Sequence, residues 1–213
     1  MMRAELDHLV VVAPTLAIGA DFVTQALGVE PQAGGAHPLM GAHNLVLRLG
    51  GNTYLEVIAI DPAAPRPKRP RWFALDELPS GASPRLLTWV ARTSGLDEAA
   101  DLLAPYVGNV EAMTRGSLRW RITVPADGSL ARGGLIPSLI EWQTAAHPAI
   151  NMRESGCSLS MLEAYHSQSE LVREQLGRLG LDGALKVTAL RTATSPYLVA
   201  HIDTPTGRRL LAA

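Results

Sequence analysis

The chain has little cysteine, little lysine, few aromatic residues and no long apolar run, and most of these shortages close off a class of answer. Cys157 is the only cysteine, which excludes an internal disulfide framework, a zinc ribbon and a CxxC redox centre and suits a reducing interior. No segment has the length and apolarity of a membrane span or of a signal-peptide core, and Met1-Met2-Arg3 leads straight into a strand pattern. A cytoplasmic protein with no membrane partner is therefore expected. The formal net charge of -1 leaves neither sign in excess, so no nucleic-acid partner is expected either. Lysine is nearly absent beside arginine, a bias that supports no inference of its own.

What is present is enough apolar material, 47% of 213 residues, for a full core in one domain or a pair of small modules. Glu5 to Ala13 reads as a buried strand. Leu16, Ala20, Val23 and Leu27 then form a helical stripe that stops at Gly28. Gly34-Gly35, Pro38 and Gly41 are expected to break the chain before two strands, Asn44 to Leu49 and Thr53 to Ile60, joined by Gly50-Gly51-Asn52. The result is βαβββ if a short strand precedes Gly34. Asp61 to Pro84 carries six prolines with Arg66, Lys68, Arg69 and Arg71 around Trp72-Phe73, and reads as a rigid crossover or as a basic lid with an aromatic tip.

The pattern restarts with a strand at Arg85 to Thr93, a capping box at Ser94 to Asp97, a stripe of Leu96, Ala100 and Leu103, and strands at Leu118 to Val124 and Leu135 to Thr144. A shorter third copy follows: Cys157 to Tyr165 as strand, a capping box at Ser167 to Glu170, Leu171 to Leu179 as helix, then strands at Leu185 to Thr192 and Tyr197 to Ile202. The fold expected is α+β: paired βαβββ modules forming a curved mixed sheet around a cleft, with a C-terminal βαββ extension. Its boundaries are 4–62, a connector at 63–84, 85–148 and 149–213, within a single domain.

The residue that asks for an explanation is Glu56. Its neighbours Leu55, Val57 and Ile58 make the strand apolar enough to be covered on both faces, where a carboxylate needs a partner. His8, the one imidazole in the first strand, is the best candidate, and such a pair can share a metal ion or a proton. In the second module Ile140-Glu141-Trp142 stands where Leu55-Glu56-Val57 stands in the first, with Thr88 in the place of His8.

Leu6-Asp7-His8-Leu9-Val10-Val11, Gly34 to Gly41 leading to Asn44, Tyr54 to Ala59, Leu118 to Arg121, Ile136 to Trp142, His147-Pro148 and Gly156 to Leu159 span most of the chain. Together they resemble the vicinal oxygen chelate superfamily, and within it the glyoxalase-like branch. The resemblance implies metal ligands at His8, Glu56 and Glu141 for one divalent ion (Zn, Ni, Fe or Mn), with Thr88 replacing a further ligand. If the metal is lost, Glu56 or Glu141 is left as a proton-transfer group bonded to His8. It further implies His37 and Asn44 as substrate contacts. Strand alternation puts Leu118, Trp120, Ile122 and Val124 on one face, expected to pack on helices, and Arg119 and Arg121 on the other, expected to line the cleft or to pair with acids.

The function implied is that of a lyase or isomerase acting on a small organic substrate by metal-assisted or carboxylate-assisted proton transfer, with Glu56 and Glu141 catalytic. A non-catalytic binding or resistance protein is the alternative. A dioxygenase fits less well, because that chemistry uses two histidines and only one is supplied. A homodimer is compatible with all of these. Trp72 and Trp142 are expected as packing residues, His147 and His201 as turn and strand-end residues, and Cys157 as inert.

Overall fold

The computed structural model describes residues 4–79, 81–181, 183–191 and 194–212. β1 (Glu5–Val12) is buried from Asp7 to its end, as its apolar run predicts. α1 (Leu16–Leu27) begins where the Thr15 hydroxyl accepts from the Ile18 N–H and ends at Gly28, whose φ of 74° is available to glycine at little cost. β2 (Gln32–His37), β3 (Ala42–Arg48) and β4 (Tyr54–Ile60) complete the first module. β5 (Arg85–Arg92), α2 (Leu96–Leu103), β6 (Asn109–Arg115), β7 (Leu118–Val124) and β8 (Ser138–Trp142) repeat it. β1 pairs in parallel with β4 and antiparallel with β5, which joins the modules into one curled sheet of order β2-β3-β4-β1-β5-β8-β7-β6.

The convex face of this sheet carries the larger core. Leu9, Val11, Leu55, Val57, Trp89 and Leu139 pack there on Val23 and Leu27 of α1 and on Leu96, Ala99 and Leu103 of α2. A second sheet of four strands joins the same core through Leu162, Ala164, Leu198, Ala200 and Ile202. Its strands are β9 (Ser158–His166), β10 (Lys186–Ala189), β11 (Tyr197–Thr204) and β12 (Gly207–Ala212), with α3 (Ser169–Gly177) between β9 and β10. The final hairpin strand, β12, adds to the expected βαββ pattern; its exposed Arg208-Arg209-Leu210 gives no alternating signal. Thr192, at the end of an expected strand, lies outside the described residues.

The concave face holds the second core, in which Val10, Val12, Ile58, Val90, Trp120, Ile122 and Ile140 meet Met40, Trp72, Phe73 and Leu75. The proline-rich connector therefore lies across the cleft. Two local expectations change. Gly34 and Gly35 lie inside β2 rather than interrupting it, and the two capping boxes do not form, since the N-caps of α2 and α3 are Gly95 and Gln168 without side-chain bonds. Among the described residues no helix is long and apolar enough to cross a membrane.

Candidate functional site

β1 is irregular where chemistry-bearing residues cluster. Leu6 pairs with Ala91 and His8 with Val90, so Asp7 is an extra residue, a bulge that cancels the alternation and lets adjacent side chains converge. The fully buried Asp7 carboxylate accepts from His8 Nδ1 at 2.6 Å, from Trp142 Nε1 at 2.9 Å and from His147 Nε2 at 2.9 Å. His147 Nδ1 in turn accepts from the Ala149 N–H at 3.2 Å, which places its ring proton on Nε2. With Nδ1 of His8 committed to Asp7, its Nε2 faces Glu56 Oε2 across 3.6 Å. The Tyr54 ring stacks on the imidazole at 4.5 Å between centroids.

On the other side of Glu56 stands Asn44, whose orientation is fixed by every bond it makes. Its Oδ1 accepts from the Gly35 N–H at 2.8 Å and from Arg115 Nη1 at 3.2 Å. Its Nδ2 donates to Glu56 Oε1 at 2.5 Å and to His37 Nε2 at 3.1 Å. Gly34 makes room for this amide, since a Cβ at that position would stand 2.1 Å from Asn44 Oδ1. His37 Nε2 also accepts from Arg115 Nη1 at 3.2 Å, so its ring proton sits on Nδ1. Arg115 reaches this far because the sheet curls until its edge strands β2 and β6 approach.

His8, Glu56, His37 and Asn44 are thus brought together, and Glu141 is not. On β8 it is Ile140 and Trp142 that face the cleft, and Glu141, one residue out of phase, looks toward α2. There it accepts from Arg121 Nε at 3.0 Å and from the Leu96 N–H at 3.4 Å, at the electropositive start of the helix. The register explains this: Val10 pairs with Glu56 two residues after His8, and Val90 pairs with Ser138 two residues after Thr88. Ser138, not Glu141, is the counterpart of Glu56. On β7 the apolar face lines the cleft where packing on helices is expected, and Arg121 takes the second of its two expected roles, pairing with acids. Trp120 and Ile122 line the cleft, Arg121 bonds Asp97 and Glu141, and Arg119 is exposed. Alternation separates two faces of a strand but does not say which is wet.

These side chains line a narrow pocket of about 30 Å³, with Trp72, Phe73, Trp120, Ile122, Ile140, Trp142, Pro148 and Met152 as walls. The connector is pinned over it: Arg71 bonds Asp76 and the Gly41 carbonyl, Arg69 pairs with Glu111, and the Ala74 N–H donates to Gly128 O at 2.9 Å. Phe73 and Ala74 have φ of 54° and 51°, conformations that cost roughly 1 kcal/mol or more outside glycine. The sequence offered Trp72 and Trp142 as packing and His147 as a turn residue. The signal for Asp7 was its place beside His8, and Arg115 gave none.

A family model described as a glyoxalase-like domain matches residues 6–180. The chain belongs to that glyoxalase-like family. Among solved structures, a hypothetical protein from Staphylococcus aureus is similar at 11% identity and a TM-score of 0.58, over 99% of this chain and 85% of that one, a likeness of fold. Methylmalonyl-CoA epimerase from Mycobacterium tuberculosis is 16% identical at a TM-score of 0.43, over 68% of this chain and 91% of that one. No curated protein matches. Membership in a glyoxalase-like family supports an enzyme or a binding protein and does not fix a reaction.

In this glyoxalase-like pocket the charges are set by the neighbours. Burial works to raise the Asp7 carboxyl, but the bonds from His147 and His8 outweigh it and hold it well below the usual range. Burial likewise acts against the Glu56 anion, and His37, His8 and Asn44 together overcome it, holding the carboxyl at about 2. The Tyr54 phenol is pushed well above its ordinary value by burial and then by Asp7 and Glu56.

The metal ligand set that the resemblance implies does not assemble. Glu141 lies on the other face, the Thr88 hydroxyl donates to Gly134 O at 2.9 Å, and His37 Nε2 already accepts from Asn44 and Arg115. His8 and Glu56 remain, fewer than the three protein ligands of an ordinary catalytic site. Among the described residues no three His, Cys, Asp or Glu side chains are grouped to hold an ion.

Proposed function

We propose that the pocket moves a proton on a small organic carbonyl compound, as a lyase or isomerase does, with His8 as the base and Glu56 as its counter-charge. One observation carries this reading: a buried imidazole held at Nδ1 by a carboxylate has its Nε2 beside a second carboxylate in the lining of a pocket. Asp7 sets the tautomer, so the Nε2 lone pair is available to substrate. Glu56, held at about 2, is too weak a base to take a carbon-bound proton near neutrality; its charge instead favours the imidazolium that His8 becomes.

The step balances without a further reactant. His8 Nε2 takes the proton from the carbon beside the carbonyl, the C–H electron pair moves into the enolate, and the imidazolium returns the proton to the same carbon, to the neighbouring carbon or to a leaving group. The test is solvent exchange: a panel of small aldehydes, ketones and keto acids is incubated with the protein in deuterium oxide and C–H loss is followed by proton NMR. At least one compound should exchange with wild type and not with His8→Gln; equal exchange by both proteins, or none across the panel, would overturn the proposal.

A second reading, sequestration of an organic ligand without chemistry, draws on the aromatic walls Trp72, Phe73, Trp120 and Trp142. It predicts saturable binding that His8→Gln leaves intact, with no exchange by either protein.

A further inference from the structure

We infer that the substrate is a carboxylate-bearing organic acid, its anionic end held by Arg115 with the Trp72 indole N–H beside it. The inference rests on the reading of this pocket as a substrate site and names what kind of molecule enters it.

The first observation is an arginine without an acid. Arg69 pairs with Glu111, Arg71 with Asp76, Arg92 with Glu5 and Arg121 with Asp97 and Glu141. Arg115 lines the pocket, and among the described residues no carboxylate lies within 4.0 Å of its guanidinium nitrogens. Its bonds to described residues both leave from Nη1, toward His37 Nε2 and Asn44 Oδ1, which are neutral acceptors. A guanidinium carries five N–H donors in a planar fork, and a carboxylate is the partner that matches two of them at once. Gly35 keeps the approach open, for a Cβ there would stand 3.0 Å from Arg115 Cδ.

The second observation is independent of the first. Trp72 is 4% exposed, lines the same pocket, and its Nε1 is buried with no hydrogen-bond partner. A buried N–H is rarely left unsatisfied, and one in a pocket wall calls for an acceptor on the ligand. The indole and Arg115 flank the same imidazole: Trp72 packs edge-on to His37 at 5.1 Å, and Arg115 bonds its Nε2. The remaining charges orient the ligand. Glu56 and Asp7 repel an anion from the His8 end and Arg115 attracts it to the β6 end, which leaves the carbon skeleton directed toward His8 Nε2.

Three of the pocket walls are tryptophans, so intrinsic fluorescence reports occupancy. The full chain is titrated with pyruvate, 2-oxobutyrate and phenylpyruvate, and in parallel with the matching amides and with methylphosphonate. Saturable quenching is expected with the keto acids, weaker by about tenfold or more with the amides, which lose the charge the fork recognises. Methylphosphonate binding more tightly than every keto acid would overturn the carboxylate assignment. Arg115→Met should weaken the acids by about a hundredfold and Arg115→Lys, which keeps charge but not the fork, by about tenfold, with Arg209→Gln on exposed β12 as the unchanged control.

The comparison of acids with amides uses wild type alone, so it stands even if Arg115→Met fails to fold. Amides binding as tightly as acids, no binding by any acid, or a folded Arg115→Met with unchanged affinity would each overturn the inference. Acid binding that depends on Arg115 without any proton exchange would leave the inference standing and refute the proton-transfer reading. Exchange of neutral ketones that is indifferent to Arg115 would do the reverse.

Discussion

Glu56→Gln separates a carboxylate that matters as a charge from one that matters only as a shape. The amide fits the same space and can still accept from Asn44 Nδ2, now 2.5 Å from Oε1, while its NH2 faces the His8 Nε2 lone pair at 3.6 Å. What is lost is the anion. A carboxyl brought from 4.5 to about 2 stabilises the folded chain by about 3 kcal/mol when ionised, the net result after burial has acted against it. The folded value lies below the unfolded one, so this contribution is fully present above about pH 4.5 and is lost as the pH falls toward 2. Glu56→Gln should therefore be less stable than wild type by up to about 3 kcal/mol near pH 5, where charge on the neighbouring imidazoles holds the anion, roughly 6 to 12 °C in melting temperature for a chain of this size. The gap should close as the pH is lowered from about 4.5 to 2.5. Urea unfolding followed by circular dichroism at pH 7, 5, 4 and 3 measures it. A deficit that stays constant with pH, or a variant more stable than wild type at pH 5, would refute the reasoning. Exchange activity should drop about a hundredfold in the same variant, because the His8 imidazolium loses its counter-charge.

Asp7→Asn turns an acceptor of three N–H donors into a group that must present its own NH2 to one of them; it should cost about 1.5 to 3 kcal/mol in stability and at least about a hundredfold in exchange rate, with KM little changed. Gly34→Ala places a methyl group on the Asn44 amide, so exchange should fall while circular dichroism stays native; undiminished exchange would show that the Asn44 position is unimportant. Glu141→Gln lies on the other face of the sheet in a half-exposed ion pair, and should leave exchange unchanged at a cost of about 1 kcal/mol or less. Adding Zn2+, Ni2+ or Mn2+ to the chelator-treated chain should move its melting temperature by less than about 1 °C; a rise that grows with metal concentration would identify a bound ion.

Most strands, the first helix and the repeat were legible because each rests on a local pattern: the apolar run of β1, the stripe closed by Gly28, the restart at Arg85; β6 and β12, without such a pattern, were not. His8 and Glu56 stood out for a related reason, as polar groups among apolar neighbours in two strands that pair. The rest depended on geometry that no local pattern carries. Asp7 reads as facing away from His8 until a bulge reverses it, and Arg115 meets His37 only because an eight-stranded sheet curls edge toward edge. For Glu141 the strand was readable and its phase was not, since Ile140-Glu141-Trp142 shows alternation without showing which side is the cleft. The aromatic connector misled in the same way: by covering the cleft it makes the lining apolar, and the arginine face of β7 turns outward.

The most direct test of the site needs no substrate. Long-range proton–nitrogen correlation spectra of the chain labelled with 15N-histidine, recorded at mildly alkaline pH, report which nitrogen of each neutral ring carries the proton. His8 is predicted to be protonated at Nδ1 with Nε2 free, and to lose that preference in Asp7→Asn. A His8 proton on Nε2 in wild type, or the same tautomer in both proteins, would contradict the claim that Asp7 holds His8 as a base facing Glu56.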